Sequence, residues 1–368
     1  MAALQRELWE AAVNLRGSIE PADYKRYVLP LIFLRFLSIR YEKHRTELAG
    51  LIAEPLTPYF KDTRALEDPD EYRSAGAFKI PEEARWENIV KMAQADDLKV
   101  RLDDVLALLE DTYPEKLRGL LPRIYAGSNL SRQDLAGVIN LFSKDIFRQD
   151  HGGDDLIGRI YEYFIGEFAS SEGKRGGEYF TPASIVRTLV AMLEPERGVV
   201  YDPCCGSGGM FVQSDIFTKH NGQLSFAGQE SKEFTYRLCR MNLFIHGPDG
   251  NIKLGSTYDD DRHPGLRADH ILANPPFNDS DWMGRIGAGN TERMMVCARA
   301  RLNVSWPFFL PGFPVAPIRS AIHHRSSHPQ FVLEHSRSLM FFCRPFVTAF
   351  THFAGVMPSA ICKGADYV

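Results

Sequence analysis

Apolar positions in the first 150 residues recur at helical spacing. Leu4, Leu8, Ala12 and Leu15 fall on one face of a helix over residues 2–16. Gly17 and Ser18 end it, and Pro21 stands near the start of the next. Residues 22–48 hold Tyr27, Leu31, Leu34 and Tyr41 in register and are apolar nearly all round up to Leu37, the pattern of a helix buried inside a bundle. Residues 50–88 mix prolines, charges and aromatics, so an irregular excursion with short elements is expected there. Two more amphipathic helices follow, one on Leu98, Leu102, Val105 and Leu109, the other on Leu135, Val138, Ile139 and Phe142. Ser131, with Asp134 three residues on, starts the second. Residues 1–150 therefore predict an all-helical domain, without a repeat period.

After His151-Gly-Gly-Asp-Asp the rhythm changes. Ile157, Ile160, Tyr161, Phe164, Ile165 and Phe168 make a strong helix, and residues 169–178 form a small, polar, glycine-rich loop. Thr181-Pro182 reads as an N-cap followed by proline at the first helical position. That helix carries Ile185, Leu189, Met192 and Leu193 on its apolar face. From Val199 the order is strand, glycine turn, helix, then a strand at 225–229. A helix with Phe234, Leu238, Met241 and Ile245 ends at His246-Gly247, and a strand at 271–273 follows. Such alternation predicts an α/β domain on a parallel, doubly wound sheet.

Composition narrows the partners rather than the fold. With 44% hydrophobic and 24% charged residues and a net charge of −4, the chain is globular and no polyanion binder by bulk charge. Its six cysteines form no CxxC pair, which suits reduced thiols and a cytoplasmic setting. No secretory signal is visible at the N-terminus, and the longest apolar run, Tyr27–Leu37, is interrupted by Pro30 and Arg35. It falls short of the ~20 residues a spanning helix needs, so no membrane association is expected.

Three places carry chemistry. In Asp202-Pro-Cys-Cys-Gly-Ser-Gly-Gly209, glycines at a strand's carboxyl end let a backbone approach a ligand. The spacing is not that of a dinucleotide fingerprint, and no Lys-Ser/Thr completes a phosphate loop. Asp202 suits a ligand bearing an ammonium group. Glu230 ends the next strand, about twenty residues on, where a carboxylate can take both hydroxyls of a ribose. In Asn274-Pro-Pro-Phe277, the Asn274 side-chain oxygen and the Pro275 carbonyl can accept both hydrogens of a planar amino group. Phe277 offers a face for a flipped base.

Together these motifs resemble those of the modification (methyltransferase) subunits of type I restriction-modification systems, S-adenosylmethionine-dependent adenine-N6 DNA methyltransferases. The matching pieces are Gly177-Glu-Tyr-Phe-Thr-Pro182, the Asp202–Gly209 turn, Gly228-Gln-Glu230 and Asn274–Phe277, together with LWEAAVNLRGSIEPADYKRYVLPLIFLRF and IPEEARW in the helical leader. The likeness spans roughly residues 1–283. It implies a Rossmann-like class I S-adenosylmethionine-dependent methyltransferase domain (151–283) behind a helical N-terminal domain (1–150). It implies that Tyr179, Phe180 and Thr181 line the cofactor pocket, that Asp202, Gly206, Ser207 and Gly208 hold the methionine part, and that Glu230 holds the ribose. Asn274, Pro275 and Phe277 would handle the target adenine. Asp259 and Asp260 both stand where the family contacts the cofactor's adenine ring, and neither is singled out. Implied partners are double-stranded DNA, a specificity subunit, a restriction subunit and a second copy of the chain. A protein glutamine methyltransferase, or an inactive truncated subunit, are the alternatives.

Beyond residue 283 the character shifts: three acids stand against nine Lys and Arg, with seven prolines and little periodicity. A shifted reading frame, a divergent segment and a basic DNA-contacting arm compete for 284–368, and the abrupt loss of acids favours the first.

Overall fold

Helix α1 (Ala2–Asn14) buries Leu8 and Ala12, as their spacing requires. The computed structural model describes residues 2–17, 19–147, 156–171, 180–257, 259–274 and 339–341. It divides into two units, residues 1–180 with 240–247, and 181–239 with 248–368.

The first unit is helical. Helix α2 (Pro21–Ala53) is its axis, and every residue from Val28 to Ser38 is buried. Pro30 lies inside α2 without ending it. Proline removes one ladder bond at a cost of ~3 kcal/mol, which burial of several large side chains at ~1.5–3 kcal/mol each outweighs. Short helices α3 (Pro69–Ser74) and α4 (Trp86–Met92) occupy the expected irregular excursion. Helix α5 (Leu98–Thr112) buries Leu98, Leu102, Val105 and Leu109, and the single turn α6 (Pro114–Leu117) follows. Helix α7 (Arg132–Leu141) starts where expected, with the Ser131 hydroxyl accepting from the Asp134 N–H at 3.0 Å. Helix α8 (Leu156–Ser171) runs three residues into the stretch read as a loop. Trp9 of α1 meets Phe164 and Phe168 of α8 edge-on, at centroid distances of 5.3 and 4.7 Å. Arg35 of α2 is fully buried; its Nε donates to the Phe142 carbonyl and its guanidinium pairs with Glu42 at 2.9 Å.

The second unit is the α/β part. It begins with α9 (Ala183–Leu193), β1 (Gly198–Asp202), α10 (Gly209–Phe217) and β2 (Leu224–Glu230). Helix α11 (Glu233–His246) follows, its last turns belonging to the first unit. Strands β3 (Gly250–Leu254), β4 (His270–Ala273) and β5 (Leu339–Phe341) are the other strands of the sheet among the described residues. The order is β3-β2-β1-β4-β5, and every pair is parallel. Order reverses between β1 and β4, so the carboxyl ends of these strands form the crevice where open α/β sheets take ligands. The fold is the Rossmann-like class I methyltransferase arrangement, behind a helical N-terminal region.

Three local expectations change. Helix α9 begins at Ala183 with Pro182 as its cap residue, so Thr181 does not cap it. Its buried face is Val186, Leu189, Val190 and Leu193, and Met192 points outward at 47% exposure. Strand β3, with only Ile252 buried, lacks the apolar alternation that would reveal it in sequence. Of the tail, only β5 is described; the three readings of 284–368 otherwise concern residues outside the described ones.

Candidate functional site

The glycine turn leaves β1 at Asp202 and enters α10 at Gly209. Gly206 (φ 55°) and Gly208 (φ 79°) are both left-handed, as the tight reversal requires. Gly208 has a second constraint: a Cβ there would sit 2.8 Å from the Cys239 sulfur on α11. Its glycine is thus fixed by packing as well as by turn geometry. Gly228 on β2 is similar, since a Cβ would meet the Phe211 ring at 2.9 Å.

The turn's main-chain donors face inward. Cys204 N donates to Asp202 Oδ1 (2.9 Å), Cys205 N to the Gln229 carbonyl (3.0 Å), Gly206 N to Glu230 Oε2 (3.1 Å) and Gly208 N to the Cys205 carbonyl (2.8 Å). A phosphate cradle needs such donors aimed at the ligand. Here two of them are satisfied by carboxylates, and the turn favours a cation.

Asp202 and Glu230 are both buried, at 2% and 7% exposure. Burial, and then the neighbouring Glu230 charge, push the Asp202 carboxyl up to about 7, against the pull of the Cys204 N–H. Burial also raises Glu230, and the N–H groups of Lys232 and Gly206 oppose that rise. Glu230 is therefore not a solvated loop carboxylate. Lys232 N holds its Oε1 at 2.8 Å, with the Ser231 hydroxyl at 3.4 Å on the same oxygen, and Gly206 N holds its Oε2, which leaves Oε2 a further lone pair for a hydroxyl. A positive group beside Asp202 would relieve both the burial cost and the repulsion from Glu230. Ser207 is buried within the same turn.

The loop after β3 braces the turn, with Thr257 Oγ1 donating to the Pro203 carbonyl at 2.6 Å. Gln229 reads this loop through its side chain, donating to the Asp260 carbonyl (2.6 Å) and accepting from Arg262 N (3.1 Å). The carboxylate of Asp260 is turned outward onto Arg262, and Asp259 is exposed. His263 is buried beneath, with Nε2 2.8 Å from the Gly228 carbonyl and its ring edge-on to Tyr201. Neither Thr257 nor His263 carried a signal in the sequence.

Asn274 follows β4 directly, and its Nδ2 donates to Thr181 Oγ1 at 3.1 Å. Burial, and next Asp202, raise the Cys204 thiol well above its ordinary range. A hydrogen bond with Cys239, then burial, do the same for Cys205. Both thiols stay protonated and are poor nucleophiles. Phe180 belongs to the first unit, where its ring lies 3.3 Å from the position of a Cβ on Gly166 of α8. Tyr179, Pro275 and Phe277 lie outside the described residues. Among the described residues, no cluster of His, Cys, Asp and Glu is placed to hold a metal ion, and no helix is long and apolar enough to cross a membrane.

Comparison with known proteins gives two non-overlapping family matches, an HsdM N-terminal domain over residues 4–142 and an N-6 DNA methylase domain over 152–307. The second runs past residue 283, beyond the span of the motif resemblance. The methylase subunit of a type I restriction enzyme of Methanocaldococcus jannaschii is 38% identical over 287 residues, covering 76% of this chain and 51% of that protein. A Mycoplasma pneumoniae counterpart is 30% identical over 325 residues, covering 76% and 59%. The chain thus spans about half the length of the curated relatives it matches. Among solved structures, the type I restriction-modification methyltransferase subunit of Streptococcus thermophilus superposes with a TM-score of 0.58 at 23% identity, covering 77% of this chain and 66% of that one. That last likeness bears on the fold.

Proposed function

We propose that the chain is a member of the family of type I restriction-modification methylase subunits, and that it transfers a methyl group from S-adenosylmethionine to N6 of adenine in double-stranded DNA. One observation carries the reading. Asp202, Glu230 and Asn274 stand at the carboxyl ends of three adjacent parallel strands, β1, β2 and β4, around the point where strand order reverses.

The buried residues fit the cofactor. Asp202 would balance the ammonium of its methionine part, and Glu230 would accept from the ribose hydroxyls while the Gly206 and Lys232 N–H groups hold it still. S-adenosylmethionine, when bound, supplies an electrophilic methyl group on a sulfonium centre. Asn274 Oδ1 would accept one hydrogen of the target amino group and the Pro275 carbonyl the other. Those bonds draw the nitrogen lone pair out of conjugation and stabilise the positive charge that develops as nitrogen attacks carbon. Phe277 would stack on the flipped base. Cys204 and Cys205, whose thiols are held well above their ordinary range, would have no nucleophilic role, and the transfer would be direct.

Sequence choice in this reading belongs to a specificity subunit, and cleavage to a restriction subunit, with a second copy of this chain in the assembly and the cytoplasm as its setting. Labelling tests the chemistry. DNA incubated with tritiated cofactor, this chain and a specificity subunit is digested to nucleosides. Label in N6-methyladenine supports the proposal; label in cytosine, or in glutamine of added protein, rejects it.

A further inference from the structure

An asparagine carboxamide has two chemically opposite ends. In the reaction proposed for this site, which rests on the reading above, only Oδ1 of Asn274 can accept from an amino group. Turned by half a revolution, Nδ2 would face that group, donor against donor. Something must set which end faces the substrate.

We propose that Thr181 is the positioning residue that fixes the Asn274 carboxamide. Its Oγ1 accepts from Nδ2 at 3.1 Å, across 93 residues of sequence, so Oδ1 is the end that Thr181 does not engage. Both partners are stiff. Threonine is branched at Cβ, which restricts χ1. Thr181 precedes Pro182 and Asn274 precedes Pro275, and a residue before proline is confined to extended backbone. Asn274 also follows β4 directly, so its main chain is set by the end of that strand. The Thr181 hydroxyl is thus the group that restrains the carboxamide. The role also follows from what Thr181 does not do: α9 is capped by Pro182, without a side-chain bond, so the hydroxyl is not spent on the helix end. It differs from the cofactor-lining role that the family resemblance implies for this position.

Thr181→Val keeps the shape and removes the hydroxyl; Thr181→Ser keeps the hydroxyl. Both are compared with the wild-type chain in the presence of a specificity subunit, measuring kcat for adenine methylation, KM for DNA and the cofactor dissociation constant by calorimetry. Misplacement of a reacting group by about 1 Å can cost on the order of 100-fold in rate. Thr181→Val should lower kcat by roughly 10- to 100-fold on that scale, with cofactor affinity within about twofold and thermal melting unchanged, and Thr181→Ser should recover most of the rate. Wild-type kcat in Thr181→Val overturns the inference. So does a loss of cofactor affinity that matches the loss of rate, which would make Thr181 a cofactor contact. Crystal structures of the wild type and Thr181→Val supply a readout that needs no turnover: the same Asn274 carboxamide orientation and order in both would also overturn it. A wild-type chain that labels no adenine instead rejects the methylation reading, and the crystal structures still decide whether Thr181 sets the carboxamide.

Discussion

Asp202 is the residue whose environment says most about its ligand. A carboxyl raised from 3.8 to about 7 by burial and by Glu230 is costly to ionise in the protein alone. The sign of the consequence follows. Because the folded-state value is raised, the contribution of this group to stability is fully present below about 3.8 and is lost as pH rises through about 7. Binding of a ligand ammonium requires the ionised form, so binding releases a proton below pH 7. Cofactor affinity should therefore fall about tenfold per pH unit below about 7, and fall again above the ligand amine's own pKa of about 7.7–8.0. Calorimetry in buffers of different ionisation enthalpy checks this, and Asp202→Asn should bind weakly and lose the acidic limb of the profile. An acidic limb that survives in Asp202→Asn would move the titration to another group. The place of Asp202 before a glycine turn, where an acid suits a cation, was legible in sequence. Its proton affinity was not, since burial and the nearness of Glu230 arise only when β1 and β2 pair.

At the scale of elements, the turn between β1 and α10 shows how adjacent glycines differ in role. Gly208 has φ 79° and would drive a Cβ to 2.8 Å from Cys239, whereas nothing lies within 4 Å of a Cβ on Gly209. Gly208→Ala should cost about 1–3 kcal/mol through backbone strain and overpacking, while Gly209→Ala should be neutral or slightly stabilising at the first turn of α10. Thermal melting of the two variants checks this contrast; equal melting temperatures would contradict it. Cys239→Ala should relieve only the steric part of the Gly208→Ala loss, because the strained φ remains. The elements legible in sequence were those with a period to read. Helices α1, α5, α7 and α8 bury most of the residues whose spacing marked them. Strand β3 escaped because it carries a single buried residue, and the face of α9 was misread by placing Met192 inward where Val186 and Val190 are buried. Thr181 looked like a cap because Thr-Pro before an apolar run is a start signal; a partner 93 residues away, invisible to local reading, engages its hydroxyl instead.

For the molecule as a whole, the sheet order β3-β2-β1-β4-β5 sets the carboxyl ends of β1, β2 and β4 side by side. Three motifs spread over residues 202–274 converge only because their strands are neighbours. The central claim is that Asn274, at the end of β4, is where the methyl acceptor is held. Removing one preorganised hydrogen-bonding group from a reaction centre costs about 100- to 1,000-fold in rate. The direct test is the single-turnover rate of adenine methylation by Asn274→Ala, in the presence of a specificity subunit and saturating S-adenosylmethionine. The account predicts a loss on the order of 100-fold or more, with cofactor affinity retained; a rate within a fewfold of wild type would contradict it.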